Sequence, residues 1–153
     1  MLYVTDQAQK YLVEEGLVQL PSDVGDLPVC YSNPAHGLTE PTTADPVMCA
    51  LFQVDHVPQP SWASGWREVI ISFLVRGNDG QINDILQLHE DVRLLWDDAK
   101  NLTFGPIEAS SLDVLWVRVW RPVYRVTLSQ SKSYISYAAE YRMLMSTRVV
   151  NEL

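Results

Sequence analysis

Trp66-Arg-Glu-Val-Ile-Ile-Ser-Phe-Leu-Val-Arg76, the turn cluster Gly77-Asn-Asp-Gly80 and the run on to Lys100 decide how this chain folds. In the first segment Val69, Ile71, Phe73 and Val75 fall on one face and Ile70 and Leu74 on the other, the pattern of a central strand covered on both sides. Asn78 or Asp79 can cap a helix, and beyond them Ile82, Ile85, Leu86, Val92, Leu95, Trp96 and Ala99 recur at helical spacing. The period thus changes from 2 to 3.6 within a few residues, which predicts a strand, a polar turn and a long amphipathic helix.

Working back toward the N-terminus, Thr5 is a candidate cap. Asp6 complements the helix dipole, Ala8, Tyr11 and Leu12 share a face, and Gly16 is placed to end the helix. Such a short helix must dock on a sheet to persist. From about residue 20 to 46 the chain is irregular, broken by Pro21, Pro28, Pro34, Pro41 and Pro46, although Leu27–Tyr31 can form a short edge strand. The Ser32–Asp45 stretch is long for a loop in a compact domain, and loops of that length are usually functional or disordered. Val47–Val54 reads as a buried strand that pairs with the one from Trp66 across a turn-rich connection holding Trp62, either a core plug or an exposed anchor.

Downstream, Asn101–Pro106 reads as a turn and Leu112–Trp120 as a strong strand. Pro122 demands a bend, bulge or edge position. Val123–Leu128 and Tyr134–Met145 then form a last hairpin, in which Ile135, Tyr137, Ala139, Tyr141, Met143 and Met145 alternate with Ser136, Glu140 and Arg142. The expected fold is α+β: a mainly antiparallel sheet with one long helix packed on it, a shorter N-terminal helix and a C-terminal β-hairpin.

At 153 residues the chain fits one domain, residues 1–153, large enough to bury roughly 70% of its unfolded surface without a covalent staple. A net charge of −8 argues against a phosphate- or lipid-gripping surface. The charge is uneven, acidic early and on the long helix, mildly basic from Arg118 onward, a polarity that suits head-to-tail contacts between copies as well as solvated faces on a monomer. Cys30 and Cys49 lack the spacing of a zinc site or disulfide framework and read as free thiols. The start, Met-Leu-Tyr-Val-Thr-Asp, lacks the pattern of a signal peptide, and no run reaches the roughly 18 apolar residues of a membrane span, so cytosol-like surroundings and no membrane partner are expected.

Catalytic signatures are missing: there is no GxSxG, HExxH, P-loop or GxGxxG. His36, His56 and His89 are scattered, and His89 beside Glu90 and Asp91 on one helix points away from both, so each reads as a solvated or hydrogen-bonded side chain. Asp97 and Asp98 oppose the dipole at the helix C-terminus, which leaves room for a partner's arginine or simply for water. No catalytic residue, metal or cofactor is expected.

The N-terminal helix Gln7–Gly16, the strand–turn–helix from Val69 to Trp96, the Leu112–Val119 strand and the closing Glu140-Tyr-Arg-Met-Leu144 resemble, in order and spacing, the tail terminators of long, non-contractile-tailed bacteriophages. The chain departs from that pattern in its longer Pro-rich segment and its aromatic hairpin from Trp120 to Tyr137. The resemblance implies a non-enzymatic ring, usually of six subunits, that caps the tail tube, stops its polymerisation and meets the head connector in the virion neck, with DNA as passing cargo. On this reading Asp91, Asp97 and Asp98 of the helix meet Arg118, Arg121 and Arg125 of the neighbouring subunit. Trp62 and the loop carrying His36 and Glu40 face the tube or connector. The alternatives are another neck component, such as a head-completion or connector-adaptor protein, and a small metal-dependent enzyme.

Overall fold

The structure, a computed structural model, describes residues 4–32, 46–57, 66–107, 110–126, 134–146 and 150–151. In chain order these form α1 (Val4–Glu14), β1 (Val29–Tyr31), β2 (Met48–Val57), β3 (Trp66–Asn78), α2 (Ile82–Trp96), β4 (Lys100–Ile107), β5 (Ser110–Arg125), β6 (Tyr134–Ser146) and β7 (Val150–Asn151). One sheet holds all the strands in the order β1-β2-β3-β6-β5-β4, and β7 pairs with the start of β5. Among the described strands only β1 and β2 run parallel; the other neighbours are antiparallel.

This arrangement corrects the expected α+β class. The protein is mostly β, a curled sheet forming a half-barrel, and among the described residues no long helix lies across it. The 15 residues of α2 make a rod of about 22 Å, whereas the 16 of β5 extend about 50 Å. Such a helix covers only the middle of the sheet, and it packs on β3, β5 and β6.

α1 fills the remaining space. It touches β4 at one margin of the sheet and β2 near the other. Val4, Ala8 and Leu12 are buried along its inner face, and Gln9 Nε2 donates to the β1 carbonyl of Cys30 at 2.6 Å. An aromatic chain crosses the concavity: Tyr11 against Phe104 (5.0 Å between centroids), Phe104 against Trp96 (5.8 Å) and Trp96 edge-on to Tyr141 (5.3 Å). It ties α1, β4, α2 and β6 into one core.

Several local readings change for identifiable reasons. Thr5 lies inside the first turn of α1 and is buried. Gly16 does close the helix: its φ is +77°, and Gly16 N–H donates to Val13 while Leu17 N–H reaches back to Leu12, a Schellman closure that favours glycine. The segment Asn101–Pro106, expected to be a turn, is strand β4. Asn101 (φ 57°) and Gly105 (φ 109°) absorb positive φ, the register shifts after Phe104, and Pro106 is tolerated because β4 is an edge. β5 runs through Pro122 by register shifts on either side of Arg121, so the Leu112 strand and the start of the last hairpin are one strand. Asn78 is the cap: it accepts from Gly80 N–H while Gln81 returns a bond to its backbone, closing a 3-10 turn, Asp79–Gln81, ahead of α2.

Strand β3 is central, between β2 and β6, with Val69, Ile71, Phe73 and Val75 fully buried beneath the helices. Cys30 and Cys49 are register partners on β1 and β2; both thiols are free and buried, and burial raises the pKa of Cys49. Among the described residues no helix is long and apolar enough to cross a membrane.

Candidate functional site

The residues of β4 pair with β5 only as far as Lys100 and Trp116, and Ala99 accepts one further bond from Val117 N–H at 2.9 Å. At that point α2 has just ended, and the Asp97 carboxylate takes the place of a backbone carbonyl by accepting from Val119 N–H at 3.1 Å. Beyond Val119, among the described residues, no strand pairs with the outer edge of β5. Bulges and a proline without an N–H occupy that edge, the usual means of blunting it against uncontrolled strand addition.

Between this edge and α2 lies a groove of about 510 Å³. Leu86, Glu90, Arg93 and Asp97, one stripe at helical spacing, form its α2 wall; Val119, Pro122 and Val123 form the β5 wall; His89, Ala139 and Tyr141 make the floor. Most of this lining is apolar, and its rim is charged. Arg93 bonds Glu90 through Nε (2.9 Å) and Nη2 (2.6 Å) and reaches Asp97 at 4.0 Å, which lowers the pKa of Glu90 and offsets the unfavourable place of Asp97 at a helix C-terminus.

His89 is 3% exposed. Its Nε2–H donates to the Tyr137 carbonyl at 2.9 Å and its ring meets Phe73 edge-on at 5.3 Å, while Nδ1 has no hydrogen-bond partner among the described residues. Because a carbonyl only accepts, the neutral ring carries its proton on Nε2. Burial lowers its pKa, and burial likewise raises that of the Tyr141 phenol. The solvated option for His89 is therefore overturned and the hydrogen-bonded one holds.

The opposite surface of the sheet has another character. Trp116, Arg118, Arg121 and Tyr124 of β5 stand in register with Leu144, Arg142, Glu140 and Ala138 of β6, facing away from the helices, and Trp120, at the bulge between Val119 and Arg121, lies against Arg142 on the same side. Four guanidinium groups lie over rings: Arg76 over Tyr134 (4.5 Å), Arg118 over Trp116 (5.1 Å), Arg121 over Tyr124 (3.5 Å) and Arg142 over Trp120 (5.0 Å). Arg142 also binds Glu68 in a short ion pair, and Arg121 lies 3.8 Å from Glu140. Trp120 nonetheless remains 54% exposed.

The six residues expected at a subunit contact thus separate into distinct places. Asp97 is on the groove. Asp91 is on the other flank of α2, where it accepts from Gln87 Nε2 at 2.9 Å and, with Asp26 and Asp84, lines a second cavity of about 390 Å³. Asp98 is exposed just past the helix with φ 61°. Arg118 and Arg121 share the outer face of the sheet, and Arg125 is exposed at the end of the same strand. Trp62, His36 and Glu40 fall outside the described residues.

Sequence reasoning assigned no functional role to Glu90, Arg93, Tyr141 or Trp120. The spacing of Leu86, Glu90, Arg93 and Asp97 signals a stripe, but nothing in it says that a strand edge lies opposite. Among the described residues no group of three His, Cys, Asp or Glu side chains is placed to hold a metal ion. The chain matches no family model and no curated protein.

Proposed function

We propose that this protein is a ring-forming tail terminator of a long, non-contractile-tailed bacteriophage, which caps the tail tube, stops its growth and joins it to the head connector. The observation that carries the reading is the opposition of two unlike surfaces on one subunit. From Asp79 to Asp98 the chain has six acidic residues against the single basic Arg93, and this segment packs on one side of the sheet. On the other side Arg118, Arg121 and Arg142 stand among exposed or half-exposed aromatic rings.

Two complementary patches on opposite sides of a subunit give head-to-tail contacts, which close into a ring when the rotation between copies allows it. The order of elements, helix, paired strands, helix and further strands, accords with the family resemblance drawn from the sequence. The net charge of −8 suits a ring through which DNA passes, because carboxylates in a lumen repel phosphate.

Negative-stain images and sedimentation of the purified protein test the reading: rings, expected to be hexamers, that arrest growth of tail-tube subunits. A monomer at all accessible concentrations would overturn it. Rings indifferent to tubes would move the protein elsewhere in the neck. Charge reversal at Arg121 and Arg125 is expected to weaken assembly, and unchanged light scattering would remove those two arginines from the contact.

A further inference from the structure

We infer that the groove between α2 and the free edge of β5 is the socket for Trp120 of a neighbouring copy. The inference rests on the head-to-tail association proposed above and names the side chain and the pocket that make it. Trp120 is an exposed indole with Arg142 stacked beneath it and Arg118 and Arg121 beside it in the strand. An indole standing in water in the middle of an arginine cluster has the composition of an interface anchor, since Trp and Arg dominate binding hot spots.

The groove fits that anchor in size, chemistry and charge. Its volume of about 510 Å³ lies within the range of built binding pockets, and Leu86, Val119, Val123, Ala139 and Tyr141 give it apolar walls. At its rim the carboxylates of Glu90 and Asp97 outnumber the guanidinium of Arg93, so the arginines flanking an incoming Trp120 meet net negative charge. The sheet separates the two sites: Trp120 is on the outer face and the groove on the helix side of the same strand. A subunit therefore cannot fill its own socket, and each copy offers one plug and one socket on opposite surfaces. Such a contact is heterologous by construction.

Two surface variants and their mixture test this. Trp120→Ala removes the plug and keeps the socket; Leu86→Arg, at a position 38% exposed, blocks the socket and keeps the plug. Each alone is expected to weaken association at least about thirtyfold relative to the wild type, with circular dichroism confirming that both remain folded and Trp120→Phe restoring part of the association. Mixed in equal amounts, they are expected to give heterodimers and nothing larger by native mass spectrometry, because only one productive contact remains.

Wild-type oligomers with both variants assembling normally would overturn the socket and leave the ring reading intact. Monomeric variants that fail to pair on mixing would overturn it as well. A wild type that never associates would remove both the socket and the ring.

Discussion

The pH response of His89 follows from its burial. With Nε2–H bound to the Tyr137 carbonyl and Nδ1 enclosed without a partner, a second proton would have to be accepted with nothing to receive its hydrogen bond. Its folded pKa is accordingly lowered from the ordinary 6.5, desolvation outweighing the opposing bond to Tyr137. The charged and titratable groups sharing its groove are Glu90, Arg93, Asp97 and Tyr141.

Below pH 6.5 the unfolded chain binds a proton at this site that the folded protein does not, so stability rises with pH in that window and falls as the solution is acidified. At about pH 5.5, one unit below the ordinary value, the loss attributable to this residue is at most about 1.4 kcal/mol, or roughly 3–6 °C in Tm for a domain of this size. Below the folded pKa both states are protonated and no further loss accrues. His89→Gln retains a donor for Tyr137 and does not titrate. Urea unfolding of both proteins at about pH 7.5 and 5.5 isolates the effect, because His36, His56 and every carboxylate are common to the two. Identical pH dependence in wild type and variant would refute the argument that desolvation governs this imidazole.

Leu12→Ala empties a fully buried position where α1 bridges the margins of the half-barrel, and is expected to cost about 2–5 kcal/mol, measured by denaturant midpoint at unchanged m-value. Arg142→Ala removes the charged hydrogen bonds to Glu68 and uncovers Trp120; a loss of about 1.5–3 kcal/mol is expected from those bonds, and Glu68→Gln together with Arg142→Met should recover part of it in a double-mutant cycle. Asp97→Ala leaves the Val119 N–H without its side-chain acceptor and should cost about 0.5–1.5 kcal/mol. Asp97→Asn keeps an acceptor and should cost less, so that equal losses would assign the effect to charge.

The alternation in β3 and β6, the helical spacing of α2, the cap at Asn78 and the glycine closure of α1 were legible in the amino-acid order, because each depends on neighbours within one or two turns of chain. The identity of β4 was not. Asn101, Gly105 and Pro106 are turn formers by local preference, and pairing with β5, which tolerates a bulge on an edge strand, overrides them. The fold class shifted for the same reason: how far a sheet curls, and that α1 spans its two margins, depends on contacts between residues far apart in the sequence.

Of the candidate site, the charge polarity could be read in one dimension, since acids and arginines occupy separate stretches of sequence. Helical spacing by itself sets Asp91 and Asp97 about 120° apart around α2, but the tertiary structure alone decided that the stripe from Leu86 to Asp97 faces the edge of β5. It also decided that Trp120 stands on the far side of the sheet from the groove. Local sequence sets the periodicity of an element; which face meets another element, and which meets water, is settled only when the sheet closes around its core.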